Sequence, residues 1–331
     1  MVESARAQVQ SEILALCVSF GMDVIVFIDK IKEMDMHKKV LFIINPVSGT
    51  RKANPYLTDM ITLLSEKGFE CIVQATTPLY GAEHIAAQHA ADVDLVICVG
   101  GDGTLNATVA GCLNVMHQTP QIGYIPSGST NDFANSLSLP MNPLKCLQAI
   151  LEGDTHAIDV GLLNERPFVY TASFGAFTKS SYTTPRDAKN NLGYMAYILE
   201  GVKELSELKP YHITFKTDMM TGSGDYIFGG ICNSKRLAGG IVKFEDDVVD
   251  LNDGLFEVFL VKYPKNGGEA VQALLDLSMG NFDSPFIDFF SARYIEIQSD
   301  KDMDWTIDGE YQSGQPNICI KVLPSALQLR Y

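Results

Sequence analysis

The chain has 331 residues, with 25 Lys and Arg against 40 Asp and Glu, a net charge of −15. That length fits two domains, each able to bury its own core. The acidic balance excludes bulk nucleic-acid binding, which needs clustered positive charge. Seven cysteines are scattered with no C-x2-C pair, which excludes a zinc ribbon and a disulfide scaffold and points to a reducing compartment, the cytoplasm by default.

Residues 1–37 stand apart as an extension. Its apolar stretch, Ile13 to Ile28, is broken by Gly21 and Asp23 and falls short of the ~20 residues a spanning helix needs. It reads as a packed or peripheral helix, or as a leader ahead of a start at Met34 or Met36. Regular pattern begins at Lys38, where KKVLFIINP is a continuous apolar run, a strand buried on both faces. Pro55 to Lys67 has helical spacing and stops at Gly68. Phe69 to Thr77 is the next strand, Ala82 to Ala91 the next helix, and VDLVICV a third buried strand that runs into glycines. A helix from Leu105 to about Met116 follows. Gln121 to Ala134 repeats strand, polar loop and helix. This alternation predicts a parallel, doubly wound sheet whose ligands lie off the carboxyl ends of its strands.

After about Ile158 the pattern changes to short apolar runs separated by turn residues, interrupted by helical stretches at Leu192–Leu208 and Glu269–Met279. That is the pattern of an antiparallel sandwich or barrel. The expected fold class is therefore α/β plus β, with a doubly wound domain at 38–157 and a β-sandwich domain at 158–331.

The sharpest chemical signal is Gly100-Gly101-Asp102-Gly103-Thr104, set between a buried strand and a helix. Glycines let backbone N–H groups face an anion, and the helix beginning near Thr104 adds its positive end. Asp102 suits such a loop if a divalent cation lies between it and the phosphates, or if it accepts hydrogen bonds that organise the loop. Asn45-Pro46-x-Ser48-Gly49 closes the first strand, Thr76 the second, and Ser127-Gly128-Ser129-Thr130-Asn131-Asp132 the fourth. Four anion-friendly loops on one sheet edge read as one polyphosphate site. Two acidic groups follow later. Asp308-Gly309-Glu310 could orient and deprotonate an acceptor hydroxyl, or it is an Asp-Gly hairpin turn. Asp250-x-x-Asp253-Gly254-Leu255 could hold Mg²⁺ or Ca²⁺ through two carboxylates and a carbonyl, or it is another turn. Glu245-Asp246-Asp247 reads as a solvated loop, and the six histidines lack zinc-ligand spacing.

Taken together, NPxSG, GGDGT, PxGSxND and DGE, in that order, resemble the diacylglycerol kinase catalytic family. The likeness runs from about Lys38 to Tyr331 and is to the soluble bacterial lipid kinases, with sphingosine and ceramide kinases as relatives. It implies a nucleotide-binding domain like that of NAD kinase and 6-phosphofructokinase, backed by the β-sandwich. It places Asn45, Thr76, Gly100, Gly101, Gly103, Thr104, Ser127 and Ser129 on ATP, and Asp102 on the catalytic Mg²⁺ or in the loop's own network. Asp308 becomes the general base, with Glu310 supporting it, and Asp250, Asp253 and the Leu255 carbonyl a second, structural Mg²⁺ site. The implied activity is transfer of the ATP γ-phosphate to a lipid hydroxyl, diacylglycerol giving phosphatidic acid. The alternatives are an NAD kinase-like enzyme with a soluble substrate and a non-catalytic nucleotide- or lipid-binding relative. The expected partner is a lipid at the membrane surface, visited transiently by a cytoplasmic enzyme. Arg51-Lys52, Lys179/Arg186/Lys189 and Lys235-Arg236 are the basic clusters available to face the bilayer, and a homodimer is possible.

Overall fold

Four strands carry the first half of the computed structural model, which describes residues 38–49, 53–114, 120–175, 209–237, 242–244 and 248–331. They are β1 (Lys38–Ile44), β2 (Phe69–Ala75), β3 (Leu95–Gly100) and β4 (Gln121–Pro126). All pair in parallel, in the order β4-β3-β1-β2. Every residue of β3 is buried, as the uninterrupted apolar run predicts for a strand covered on both faces.

The helices between these strands depart from the sequence expectation at their ends. Helix α1 (Leu57–Glu66) follows a 3₁₀ turn at Asn54–Tyr56, and Gly68 ends it with φ +81°. Helix α2 (Ala82–His89) stops short of Ala91 and passes into a 3₁₀ turn. Helix α3 (Asp102–Leu113) starts at Asp102 rather than near Thr104, with Gly101 as its extended N-cap. The Gly-Asp-Gly-Thr tetrad is thus partly helix, and the Asp102 carboxylate sits in the first turn, where the helix dipole favours negative charge. The far end of the expected helix, beyond Asn114, lies outside the described residues. After α4 (Asp132–Ser136) comes α5 (Pro143–Glu152), which the sequence reading did not foresee. Its signal is plain in hindsight: Asn142 accepts from Lys145 N–H as N-cap, and Pro143 occupies the first turn.

The second half is built from β5 (Thr155–Leu163), β6 (Arg166–Phe168), β7 (Thr171–Gly175), β8 (Tyr211–Thr217), β9 (Thr221–Cys232), β10 (Arg236–Leu237) and β11 (Val242–Lys243), then β12 (Phe256–Lys262), α6 (Gly267–Met279), β13 (Ile287–Ala292), β14 (Tyr294–Ile307) and β15 (Glu310–Arg330). The expected antiparallel strands are present and α6 matches the Glu269–Met279 stretch. The stretches at 192–208 and 13–28 fall outside the described residues. Two expected strands, NICIKVL and ALQLRY, form one continuous β15.

That long strand joins the halves. Its first part pairs with β14, a later part with β5, and Leu329 pairs in parallel with Ile122 of β4. A single thirteen-stranded sheet results, running β13-β12-β9-β7-β14-β15-β4-β3-β1-β2 with β5, β6 and β8 at its side. The expected boundary near residue 157 falls inside β5. One core cluster surrounds β1, β3 and β4 and extends to Phe259 and Leu274; a second gathers Phe168, Phe256 and Trp305. Leu329 is fully buried at the seam. Leu329→Ala is expected to lower stability by about 2–4 kcal/mol, read as a shifted midpoint in urea unfolding. An unchanged midpoint would mean that the seam bears little on stability.

Candidate active site

The loops at the carboxyl ends of β1, β3 and β4 meet backbone against backbone. A Cβ added at Gly49 (φ +48°) would lie 2.4 Å from Ser127 O, and one at Gly101 would lie 3.1 Å from Gly128 Cα. These approaches require glycine. The Ser127 N–H donates to Gly100 O at 2.7 Å, and Asn45 Nδ2 donates to Thr104 Oγ1 at 3.0 Å. Asn45, Gly100, Gly101, Gly103, Thr104 and Ser127 therefore form one cradle. Gly100 makes room for the Thr104 side chain, since a Cβ there would lie 2.4 Å from Thr104 Cβ. Thr76 sits one strand further out, its N–H donating to Ile44 O at 2.8 Å. Ser129 is at the exposed tip of its loop.

Asp102 lies beneath this cradle. Its Oδ2 accepts from Asp132 N–H at 3.0 Å and its Oδ1 from the Tyr124 hydroxyl at 3.3 Å. Burial pushes its carboxyl up to about 7, and the Asp132 and Asp308 carboxylates push the same way, against the two donors. Every donor to Asp102 is neutral, so negative charge accumulates here without a paired cation among the described residues. The Asp102 carboxylate is itself the kind of hard-oxygen donor that a divalent cation beside a polyphosphate takes, although no group of three such side chains gathers here among the described residues.

Asp308 reaches the same place from the second half of the chain. Asp308 (φ +46°) and Gly309 (φ +87°) are the two central residues of a hairpin in which Ile307 pairs with Glu310. Positive φ at both positions is the turn geometry that Asp-Gly favours. The turn reading and the site reading therefore hold together. Asp308 Oδ1 accepts from Tyr170 N–H (3.0 Å) and Thr171 N–H (2.9 Å), and Oδ2 from Val169 N–H (2.6 Å) and Asn106 Nδ2 (2.8 Å). A carboxylate offers about four lone-pair positions, and all are taken. Burial raises this carboxyl to about 6, while the four donors hold it down. Glu310 is instead exposed. It overlies the glycine loop, for a Cβ added at Gly103 would lie 2.3 Å from Glu310 Oε1.

The Asp250–Leu255 segment is a turn in which Asp250 Oδ1 accepts from Asn252 N–H at 3.1 Å and Asp253 Oδ1 from Leu255 N–H at 2.8 Å. Both carboxylates are exposed, and no group of three metal-ligating side chains occurs among the described residues. Close by, Glu257 is buried with its Oε2 unpartnered; burial raises its carboxyl to about 8, and Asp253 and Asp250 add to this. The turn offers two carboxylates and a carbonyl, oxygens of the kind a hard cation takes, but Glu257 does not close on them as a third carboxylate ligand. The turn is tied to the Asp308 cradle through buried residues. Gly254 N–H donates to Asp159 Oδ2 (2.6 Å), Asn233 Nδ2 donates to Asp159 O (3.0 Å), and Asn233 N–H donates to Tyr170 O (2.9 Å).

Comparison with known proteins accords with this geometry. Residues 39–163 match the diacylglycerol kinase catalytic domain, and residues 177–331 match the YegS C-terminal NAD kinase beta sandwich-like domain. The chain is 31% identical over 277 residues to a diacylglycerol kinase of Bacillus subtilis, covering 83% of this chain and 90% of that protein. With a diacylglycerol kinase of Staphylococcus epidermidis it shares 33% over 286 residues, 85% of this chain and 88% of the other. The chain belongs to the diacylglycerol kinase family and is a lipid kinase. Its fold is shared with a diacylglycerol kinase crystal structure from Bacillus anthracis at a TM-score of 0.69 and 22% identity, over 89% of this chain and 97% of that one.

Sequence reasoning missed Asn106, Tyr124 and the Val169–Thr171 amides of this kinase. Asn106 was within reach, since it follows Asp102 by four positions on the same helix and so shares its face. Tyr124 reads as one more apolar residue in a buried strand. Backbone donors leave no residue-type signal.

Two outcomes follow from the geometry. Gly103→Ala is expected to displace the exposed Glu310 side chain, cutting turnover at least about tenfold (a ~1.4 kcal/mol misplacement) while the melting temperature stays put. Asp102 and Asp308 bind protons more tightly when folded (about 7 and about 6) than at their ordinary value of 3.8. Their contribution to stability is complete below the unfolded value and is lost as pH rises through 6 to 7. The unfolding midpoint of the ligand-free protein should therefore climb as pH is lowered from 8 to 5, and calorimetry across that range checks the sign.

Proposed function

We propose that this kinase uses ATP to phosphorylate the free hydroxyl of diacylglycerol, giving phosphatidic acid. The names of its relatives support the acceptor, and the loop cradle supports a triphosphate donor. The observation that carries the catalytic reading is the placement of Glu310 over Gly103 while Asp308 is buried with every acceptor position filled. In this reading Glu310 takes the proton of the acceptor hydroxyl. Asp308 pins the hairpin that presents Glu310, a division of labour opposite to the one expected from the motif.

Phosphoryl transfer needs alignment and charge stabilisation more than covalent chemistry. In this reading the Gly101–Gly103 amides at the start of α3 would face the phosphates, the Thr104 N–H being given to Gly101 O at 2.9 Å, and Asn45 holds the Thr104 side chain in place through its Nδ2. Asp102, steadied by Tyr124 and the Asp132 amide, would hold Mg²⁺, which supplies positive charge to the polyphosphate. Asp250, Asp253 and the Leu255 carbonyl, with Glu257 behind them, would hold a second, structural Mg²⁺. Among the described residues no helix is long and apolar enough to cross a membrane, and in this reading the acceptor is met by peripheral contact. Of the three basic clusters named from the sequence, Lys235-Arg236 falls among the described residues, and those at 51–52 and 179–189 lie outside them.

The test is phosphate transfer from labelled ATP with Mg²⁺ to micellar diacylglycerol, sphingosine and ceramide, and to NAD. Labelled phosphatidic acid is expected, and label in NAD instead would overturn the acceptor. Glu310→Gln should lose about 10²- to 10⁴-fold in kcat with an unaltered melting temperature. Asp308→Asn should lose stability by about 1–3 kcal/mol, because an amide N–H₂ then faces backbone donors. Full turnover by Glu310→Gln would remove it from the role of base.

A further inference from the structure

The hairpin of β8 and β9 carries a second set of polar side chains in contact with one another. The two strands pair antiparallel, with His212 opposite Asp225 and Thr214 opposite Ser223. Alternation along each strand puts these four side chains on one face, and all four residues are exposed. Strand β8 is hydrogen-bonded on its other side to β14, so the set stands on paired strands rather than on a loop. Further along β9, Cys232 pairs with Thr171, one of the donors to Asp308. From Ser223 to Cys232 the strand runs about 30 Å at ~3.3 Å per residue. This face is therefore separate from the kinase site.

The contacts run in a defined order. His212 Nδ1 lies 2.8 Å from Asp225 Oδ1, and His212 Nε2 lies 3.5 Å from Ser223 Oγ. A carboxylate only accepts, so Nδ1 carries a proton and donates it to Asp225. The lone pair of a neutral ring is then on Nε2, facing the Ser223 hydroxyl. An acid orients an imidazole and the imidazole faces a hydroxyl, which is the arrangement that activates a serine as a nucleophile. The 3.5 Å step is long, as such contacts often are before a substrate draws them in. Thr214 Oγ1 lies 3.4 Å from Ser223 Oγ, and Lys216 follows on the same face of β8. These two add a hydroxyl donor and a positive charge on the side of Ser223 away from Asp225. An exposed ion pair is worth little by itself, and it gives no reason for a hydroxyl at the second ring nitrogen.

We propose that Ser223 is an acyl-accepting nucleophile, with His212 as its general base and Asp225 as a positioning residue. The substrate class is a small, activated carboxylic ester, which needs no enclosing cavity to reach an exposed hydroxyl. Ser223 Oγ bonds to the ester carbonyl carbon as its proton passes to His212 Nε2. The ester C–O bond then breaks, and Nε2 returns the proton to the departing oxygen, giving acyl-Ser223 and an alcohol. Water attacks the acyl group by the same route, releasing the carboxylic acid and restoring the serine. Thr214 and Lys216 would support the negative charge that the carbonyl oxygen gains in each step.

The experiment treats the full chain with p-nitrophenyl acetate, following release of nitrophenol, and with a fluorophosphonate probe whose attachment site is read by mass spectrometry. The probe is expected on Ser223. Ester hydrolysis is expected to fall about 10²-fold in both Ser223→Ala and His212→Gln, the lower end of the range for a general base. Asp225→Asn should lower kcat while KM holds, because the imidazole loses its orientation and the ester keeps its contacts. All three substitutions are on an exposed face, and an unaltered melting temperature shows that each variant is folded. Probe attached elsewhere, or attached to Ser223 as fast in His212→Gln as in the unaltered chain, overturns the proposal. So does hydrolysis that Ser223→Ala keeps and His212→Gln loses, since the imidazole itself would then be the nucleophile. An unchanged kcat in Asp225→Asn removes that residue from its positioning role.

Discussion

A carboxylate buried at Asp308 is tolerable only because four neutral donors surround it. Three are consecutive backbone amides, Val169 to Thr171, and the fourth is Asn106, 202 positions away in the chain. Desolvation alone would make so buried an acid strongly unfavourable as an anion. The donors bring it back to about 6, near enough to neutrality for both forms to matter. The same four bonds lock together the hairpin between β14 and β15, the segment before β7, and helix α3 of the glycine loop. Remove the carboxylate and these three pieces lose their common polar centre, with buried N–H groups left unpaired.

The geometry of the site depends on this pin because Glu310 is only two residues beyond it. Glu310 also opens β15, whose far end pairs with β4. Strand β4 in turn neighbours β3, which runs into the glycine loop. The acid and the phosphate cradle are thus joined twice, by a hydrogen-bonded carboxylate at one end of the strand and by the sheet at the other. In this chain the cleft wall and the nucleotide floor share one continuous sheet.

Charge organises the cradle in a complementary way. Gly49, Gly101 and Gly128 allow three loops to touch through their backbones, which concentrates N–H groups where phosphates would lie. Beneath them Asp102, Asp132 and Asp308 concentrate negative charge, raising Asp102 to about 7. A polyanion above and carboxylates below are compatible when a divalent cation lies between. At the second acidic turn Glu257 is buried near Asp250 and Asp253, and Asp159 and Asn233 connect that turn to the Asp308 pin.

Much of this was legible from local patterns. Continuous apolar runs gave the parallel strands, glycine-rich turns located the loops on one sheet edge, and Asp-Gly announced the hairpin at Asp308. These are properties of windows of about ten residues, where periodicity and allowed φ values are decided by the residues themselves. The seam at which β15 links the two expected domains was not legible, because it turns on the pairing of Leu329 with Ile122 of β4, near the ends of distant segments. Nor was the contrast between a buried Asp308 and an exposed Glu310. Spacing shows that two acids are close, but which one is desolvated and which has a lone pair to spare depends on partners up to 202 positions away. Burial and hydrogen-bond saturation are properties of the folded neighbourhood, so only the tertiary structure could decide them.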